Sequence, residues 1–581
     1  MPVDAVAPST EDGTVDAYPV DPGLLDDLRR ARRRRRVAEI HWVDALYRVY
    51  MAGLVGLVAV ALIAGTVGDT PLTAGQVGDV TAHGPAVIGL VAALAVAVGL
   101  RSGSRGGPLA VEPGDVRHIL LAPVDRGRAL RGPALRQVRS ALFVALLVGA
   151  AVGRFADRRL PEPVGAWILA GAVAGVTLVA LSLGAALVTS GRRLPRAAAS
   201  GVAAVLLAWS ALDVARVEVG GAPVPASPGR AVGWLALAPL DLHVASLGAV
   251  AVAVVLVVAG LAGVGGLSVE AAERRTALVG QIRFAATLQD VRTVLVLRRQ
   301  LAADRPRARP WLRVGRGPAR FPAWRRGWNG VLRFPAVRVG RLVLLAVAAG
   351  AAFRGAWSGT APLVALAGVA LWVGALDVVE PVAEEVDHPS RRQSYPVEEG
   401  ALYVRLLAVP LVVSILLGLL AGAVAALPGG GRVPLLVGLA AGVATALSAC
   451  AGALGNVVAG APSGGDELGL IAPEVAGLRM VLRAVWPVVL AVLGALPLLV
   501  VEADLDAGRP AAGMASALWL AVAGLAALVV AWVHQREAIA EWWRQAMDAA
   551  GQGGAGTRGD DDGDEDEDED DSGDDEEDER R

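Results

Sequence analysis

Lysine is missing from all 581 residues, and every one of the 54 basic side chains is an arginine. A P-loop ATPase uses the Lys of G-x-x-x-x-G-K-[ST] to reach the nucleotide phosphates, and a Schiff-base enzyme uses a Lys amine. Neither chemistry is open to this chain by its usual route, so ATP-driven work requires a separate subunit that burns the nucleotide. Cysteine occurs once, as Cys450 inside an apolar run. That excludes a disulfide framework and a cysteine metal site, and Cys450 reads as a small packing residue. No G-x-S-x-G, H-E-x-x-H or paired-acid arrangement stands out, so the chain reads as a non-enzyme without a cofactor. His388 has acids around it in Glu384-Glu385-x-Asp387-His388 but no second His at helical spacing, so those acids are expected to meet arginines and no metal site is assigned.

Apolar residues make up 54% of the chain. Runs of about 20 apolar residues recur, the length a helix needs to cross roughly 30 Å of hydrocarbon. Twelve spans are expected, near 46–67, 82–100, 141–152, 164–189, 197–212, 244–266, 342–357, 361–376, 402–427, 433–459, 485–501 and 511–533. The third and fifth are short. The 71 glycines suit close helix packing in lipid. The expected fold is an all-α polytopic membrane protein with about twelve transmembrane helices in two six-helix halves. No cleavable signal peptide is evident.

Most arginines fall on one side if both termini lie in the cytoplasm of an inner (plasma) membrane protein. The exceptions are Arg154, Arg158 and Arg159 in one outer turn. The organisation then reads as a disordered N-terminus at 1–23, an amphipathic cytoplasmic helix at 24–45 and a first membrane half at 46–266. An arginine-rich cytoplasmic linker follows at 267–341, then a second membrane half at 342–533, a cytoplasmic helix at 534–550 and a disordered acidic tail at 551–581. The tail repels itself and cannot bury a core. The basic, Trp-bearing linker, with Trp324 and Trp328 beside Arg325 and Arg326, is expected to lie on lipid headgroups rather than on nucleic acid. A faint repeat links the halves: Val111-Glu112-Pro113 follows the second span, and Val379-Glu380-Pro381 follows the eighth.

The loop from Val111 to Arg139 carries an acid, a leucine pair, a proline and a basic residue ahead of a further helix. In this it resembles the cytoplasmic loop of type-2 ABC exporter permeases, through Leu120-Leu121-x-Pro123-x-x-Arg126. The segments Arg298–Trp311, Arg325–Trp328, Arg333–Arg338 and Glu380–Pro389 are similar to an uncharacterised group of large polytopic membrane proteins of GC-rich Gram-positive bacteria. The exporter resemblance implies a permease subunit moving a substrate with ATP hydrolysed elsewhere. A partner ATPase would contact Glu112, Leu120, Pro123 and Arg126 in the first half. Glu380, Glu384, Glu385 and Asp387 are the matching candidates in the second.

Two other readings compete. A non-transporting scaffold would anchor cytoplasmic partners through the same basic loops. A secondary carrier is suggested by Pro123-Val124-Asp125-Arg126-Gly127-Arg128, which is similar to a loop of major-facilitator carriers, although that loop is short and opens with glycine. A proton-coupled carrier also wants an acid near the bilayer midplane. Here Asp213, Asp241, Asp377 and Glu502 all fall at span ends.

Overall fold

A computed structural model describes residues 70–109, 111, 125–287, 307–312, 322–388, 390–391, 395–427, 432–458, 485–509 and 512–555, with single positions between 27 and 54. The expected N-terminal helix, the span at 46–67, the residues Glu112, Leu120 and Pro123, and the acidic tail beyond residue 555 lie outside the described residues. The protein is an all-α polytopic membrane protein, and no strand occurs among the described residues. Among the described residues ten helices are long and apolar enough to cross a membrane, or eleven if one bent pair counts as a span.

In chain order the elements are α1 (Ala74–Gly103), α2 (Arg126–Ala156), α3 (Val164–Gly191), α4 (Arg196–Glu218), the short α5 (Arg230–Ala236) and α6 (Ala245–Ala262). Two helices follow outside the apolar runs, α7 (Val269–Thr287) and α8 (Pro322–Val331). The second half holds α9 (Ala336–Trp357), α10 (Leu363–Val378), the short α11 (Glu380–Val386), α12 (Glu399–Ala425), α13 (Leu435–Val458), α14 (Val485–Asp506) and α15 (Ala512–Ala555). Several starts are written in the sequence. Thr73 and Gln76 form a reciprocal capping box on α1, and the Asp125 carboxylate accepts the Gly127 and Arg128 amides at 3.1 and 3.0 Å to open α2. Pro163, Pro195 and Pro335 stand immediately before α3, α4 and α9, where a missing N–H costs nothing.

Several helices outrun the expected spans: α1 begins at Ala74, α4 runs to Glu218, and α15 joins the span expected at 511–533 and the helix expected at 534–550 into one helix that ends at Ala555. Two further boundaries differ for one shared reason. The third span was expected at 141–152, yet α2 has 31 residues, about 46 Å at 1.5 Å per residue. The seventh was expected from 342, yet α9 begins at Ala336 and carries Arg338 and Arg341. Hydropathy ends a span where charge begins, whereas a helix continues through charged residues that have partners or water. The extended base of α2 packs through Ala129, Leu130, Ala134 and Val138 against Leu109, Val111, Leu267 and Ala272, which form a small core of their own. Gln137 ties it to the Pro108 carbonyl at 2.8 Å, and the Thr276 hydroxyl accepts the Val111 amide at 3.2 Å.

The two halves pack alike. In the first, α3 lies against α2, α1 and α6; in the second, α13 lies against α12, α10 and α15. The α2–α3 and α12–α13 hairpins share a further feature. Gly149 and Gly153 of α2 face the Gly171 and Trp167 carbonyls of α3, and Gly418 and Gly422 of α12 face the Gly442 and Gly438 carbonyls of α13. A methyl group at any of these four positions would overlap the opposite backbone. Small residues spaced by four let helix backbones touch where lipid supplies no hydrophobic drive. The G-x-x-x-G spacing at 149/153, 171/175, 418/422 and 438/442 is legible in the sequence. It marks the relation between the halves better than the V-E-P tripeptide does.

Candidate functional site: a charged clasp at the base of the second half

The apolar helix α10 ends at Asp377-Val378, and the chain turns by 54° into α11. The turn is on the arginine-rich face, the one that also holds α7, α8 and the base of α2. Val379 and Val382 are fully buried and seat α11 on the core of the second half. Its polar side carries the acids of Glu380-Pro381-Val382-Ala383-Glu384-Glu385 into a set of arginines.

Arg338 of α9 is 7% exposed. Its guanidinium stacks 3.7 Å from the Phe334 ring, donates to the Asp377 carbonyl at 2.7 Å, and makes a close ion pair with Glu380. One turn further along α9, Arg341 pairs with the Asp377 carboxylate. Glu385 has no exposed surface. Arg326 of α8 reaches it at 2.5 Å and Arg391 at 3.3 Å, while Arg326 also donates to the Tyr395 hydroxyl at 2.6 Å. Arg391 donates to the Glu384 carbonyl at 3.0 Å, and His388 Nδ1 lies 2.8 Å from that same carbonyl. Five separate segments, α8, α9, α10, α11 and the approach to α12, therefore meet in one network.

Burying these charges is expensive, and paired partners recover much of the cost without adding large net stability. Removing one partner is the damaging change, at about 3–5 kcal/mol for a buried pair. The network thus ties α11 to its neighbours without adding much to the stability of the bundle. Glu384 keeps much of its surface exposed at the rim. Neighbouring groups nonetheless crowd its carboxyl, and that loss of hydration, helped by the charge of Glu380, holds it above its ordinary value of 4.5.

The sequence candidates divide accordingly. Glu380, Glu384 and Glu385 come together in the clasp. Asp387 ends α11, donating its backbone N–H to the Ala383 carbonyl at 2.9 Å, and its side chain is on the surface. Arg126 occupies the first turn of α2 beside the Asp125 cap, at the base of the other half, and is exposed. The two amides at the cap hold the Asp125 carboxyl below its ordinary value of 3.8. Arg326, expected on lipid headgroups, pairs instead with Glu385 and Tyr395, and sequence reasoning did not assign Arg338, Arg341 or Tyr395 to a site. A signal existed for two of them, since Arg338 and Arg341 share one helix face ahead of an apolar run. Among the described residues no group of three His, Cys, Asp or Glu side chains is arranged to hold a metal ion.

Comparison with family models, with curated proteins and with solved structures finds no match to this chain.

Proposed function

We propose that this protein is the membrane permease subunit of an ABC-type exporter, driven by a separate ATPase that docks on the arginine-rich, cytoplasmic face. The observation that carries this reading is the clasped helix α11. It is a short helix bent off the end of α10 and tied by ion pairs to α8, α9 and the start of α12. A push on it is delivered to several spans at once, which is what a permease without its own nucleotide site requires. Asp387 and Glu384 present carboxylates to a partner. Glu385 is enclosed, so it acts by positioning Arg326 and Arg391. In the first half, Glu112, Leu120, Pro123 and Arg126 supply the matching contact ahead of α2.

The packing of the halves supports alternating access. Extensive helix–helix packing among the described residues stays within each half, which fits two bodies that rock against each other in the manner of transporters built from parallel repeats. The test is copurification. An ATPase subunit whose hydrolysis rises when bound to the full-length chain in lipid supports the exporter. Its stimulation should fall in Pro123→Ala/Arg126→Ala while membrane insertion is kept. A stable complex with silent partners would favour the scaffold instead, and undiminished stimulation in the double variant would remove the first-half contact from the proposal.

A further inference from the structure

A cavity of about 370 Å³ opens beside the clasp, lined by Arg326, Asn329, Arg333, Arg338, Glu380 and Glu384, with Phe334, Pro335 and Leu406 on its apolar side. Its position is unusual in combining basic groups with the base of a membrane span. Leu406 belongs to α12, and Phe334 and Pro335 are the residues that lead into α9. The turn bearing Arg333 is braced from outside. The Arg307 amide donates to the Arg333 carbonyl at 2.8 Å, the Trp311 amide to the Leu332 carbonyl at 2.9 Å, and the Trp311 indole to the Phe334 carbonyl at 2.9 Å. Trp311 and Leu312 remain 48% and 70% exposed beside it, the kind of amphipathic and apolar surface that settles at a bilayer boundary.

The charges of the lining are unequally committed. Arg338 is shared by Asp377 and Glu380, and Arg326 by Glu385 and Tyr395. The Arg333 guanidinium and the Asn329 amide have no partner among the described residues. Three arginines against two glutamates leave the lining at +1, which a single negative charge neutralises. A phosphodiester carries that charge, offers acceptor oxygens to Arg333 and Asn329, and has acyl chains that can leave past the exposed Trp311 and Leu312. Basic pockets between spans on a cytoplasmic face bind anionic headgroups on this physical basis.

We propose that this cavity binds a singly charged phosphate ester, presented as the headgroup of an anionic phospholipid. The site stands on its own lining and does not depend on the ATPase reading. The experiment is native mass spectrometry of the full-length protein exchanged from detergent against phosphatidylglycerol or phosphatidylcholine. Phosphatidylglycerol should be retained preferentially, and Arg333→Ala should lower its retention about five-fold, the worth of one basic residue at an anionic surface. Arg333→Lys should restore most of it, and Arg216→Ala at the far end of α4 should change nothing. Thermal unfolding of each variant separates loss of the site from loss of the fold. Displacement of the bound lipid by glycerophosphoglycerol, the same diester without acyl chains, would confirm the phosphate-ester site and move its source to soluble esters. Equal retention of both lipids, or of phosphatidylglycerol by the wild type and a folded Arg333→Ala, would overturn the proposal.

Discussion

Arg159 donates from one guanidinium nitrogen to the Ser358 carbonyl at 2.9 Å and to the Thr360 hydroxyl at 3.1 Å, bridging residues 199 and 201 positions apart. It joins the turn between α2 and α3 to the turn between α9 and α10, on the face opposite the clasp. Gly359 lies beneath the guanidinium with φ near +93°, and a methyl group there would sit 3.2 Å from the Arg159 nitrogens. One of the three arginines that break the charge-sidedness pattern of the sequence is thus a joint between the two halves. The Arg159 carbonyl also accepts the Leu72 amide at 2.9 Å.

Removing that joint should free the halves on the face opposite the clasp. Arg159→Ala deletes hydrogen bonds from a charged donor, each worth about 1.5–3 kcal/mol where enclosed and less where exposed. Spin labels on the two turns should report a broader distance distribution in the variant. An unchanged distribution would mean that other contacts hold the halves together.

The glycine hairpins predict a sharp asymmetry among conservative changes. Gly149→Ala and Gly418→Ala each force a methyl group into an opposing backbone, and overpacking of this kind costs about 1–3 kcal/mol. Gly201→Ala on α4 meets nothing within 4 Å and should stabilise slightly by helix propensity. Thermal unfolding in detergent should rank the three in that order. Equal midpoints for Gly149→Ala and Gly201→Ala would show that the hairpin is not tight.

Within the clasp, Arg326→Ala leaves Glu385 enclosed with only Arg391 beside it, and stability should drop by about 1–3 kcal/mol, the range for a charged hydrogen bond shared with solvent. The double change Arg326→Leu/Glu385→Leu should recover most of the loss, because an apolar pair needs no partner. Under the exporter reading the double variant is stable yet poorly coupled, and ATPase stimulation separates the two effects. Full coupling in the leucine pair would show that the bend of α11 is held by other contacts.

Acid should loosen the start of α2. The Asp125 carboxyl has a lowered pKa because the Arg128 and Gly127 amides donate to it. A depressed carboxyl contributes its stability fully above the ordinary value of 3.8 and loses it as pH falls through the folded value. Hydrogen exchange at the Gly127 and Arg128 amides should therefore gain protection with rising pH through the acid range, after correction for intrinsic rates. Asp125→Asn should flatten that dependence, and a slope unchanged by the substitution would argue against the cap.

Much of the architecture is legible in the sequence. The apolar runs announce spans because a backbone in hydrocarbon must satisfy itself as helix. The starts of α1 and α2 follow from Thr73 with Gln76 and from Asp125, whose side chains reach amides only a few residues away. The clasp was only half visible. Glu380, Glu384 and Glu385 stand out as acids beside a basic linker, but their partners Arg326 and Arg338 are some 50 residues upstream, and nothing local selects them from so many arginines.

By itself the sequence determined what is local or additive: helices, their amphipathic and apolar lengths, their caps, and the exclusion of lysine-dependent chemistry. Tertiary structure alone decided which charges found partners and where helices could therefore continue. It buried Arg338 over Phe334, enclosed Glu385, bent α11 away from α10 and set Arg159 across the two halves. The reason is physical. Whether a charged residue ends a membrane helix or extends it depends on the free energy of its partners, and those partners are brought within reach only by the folded chain.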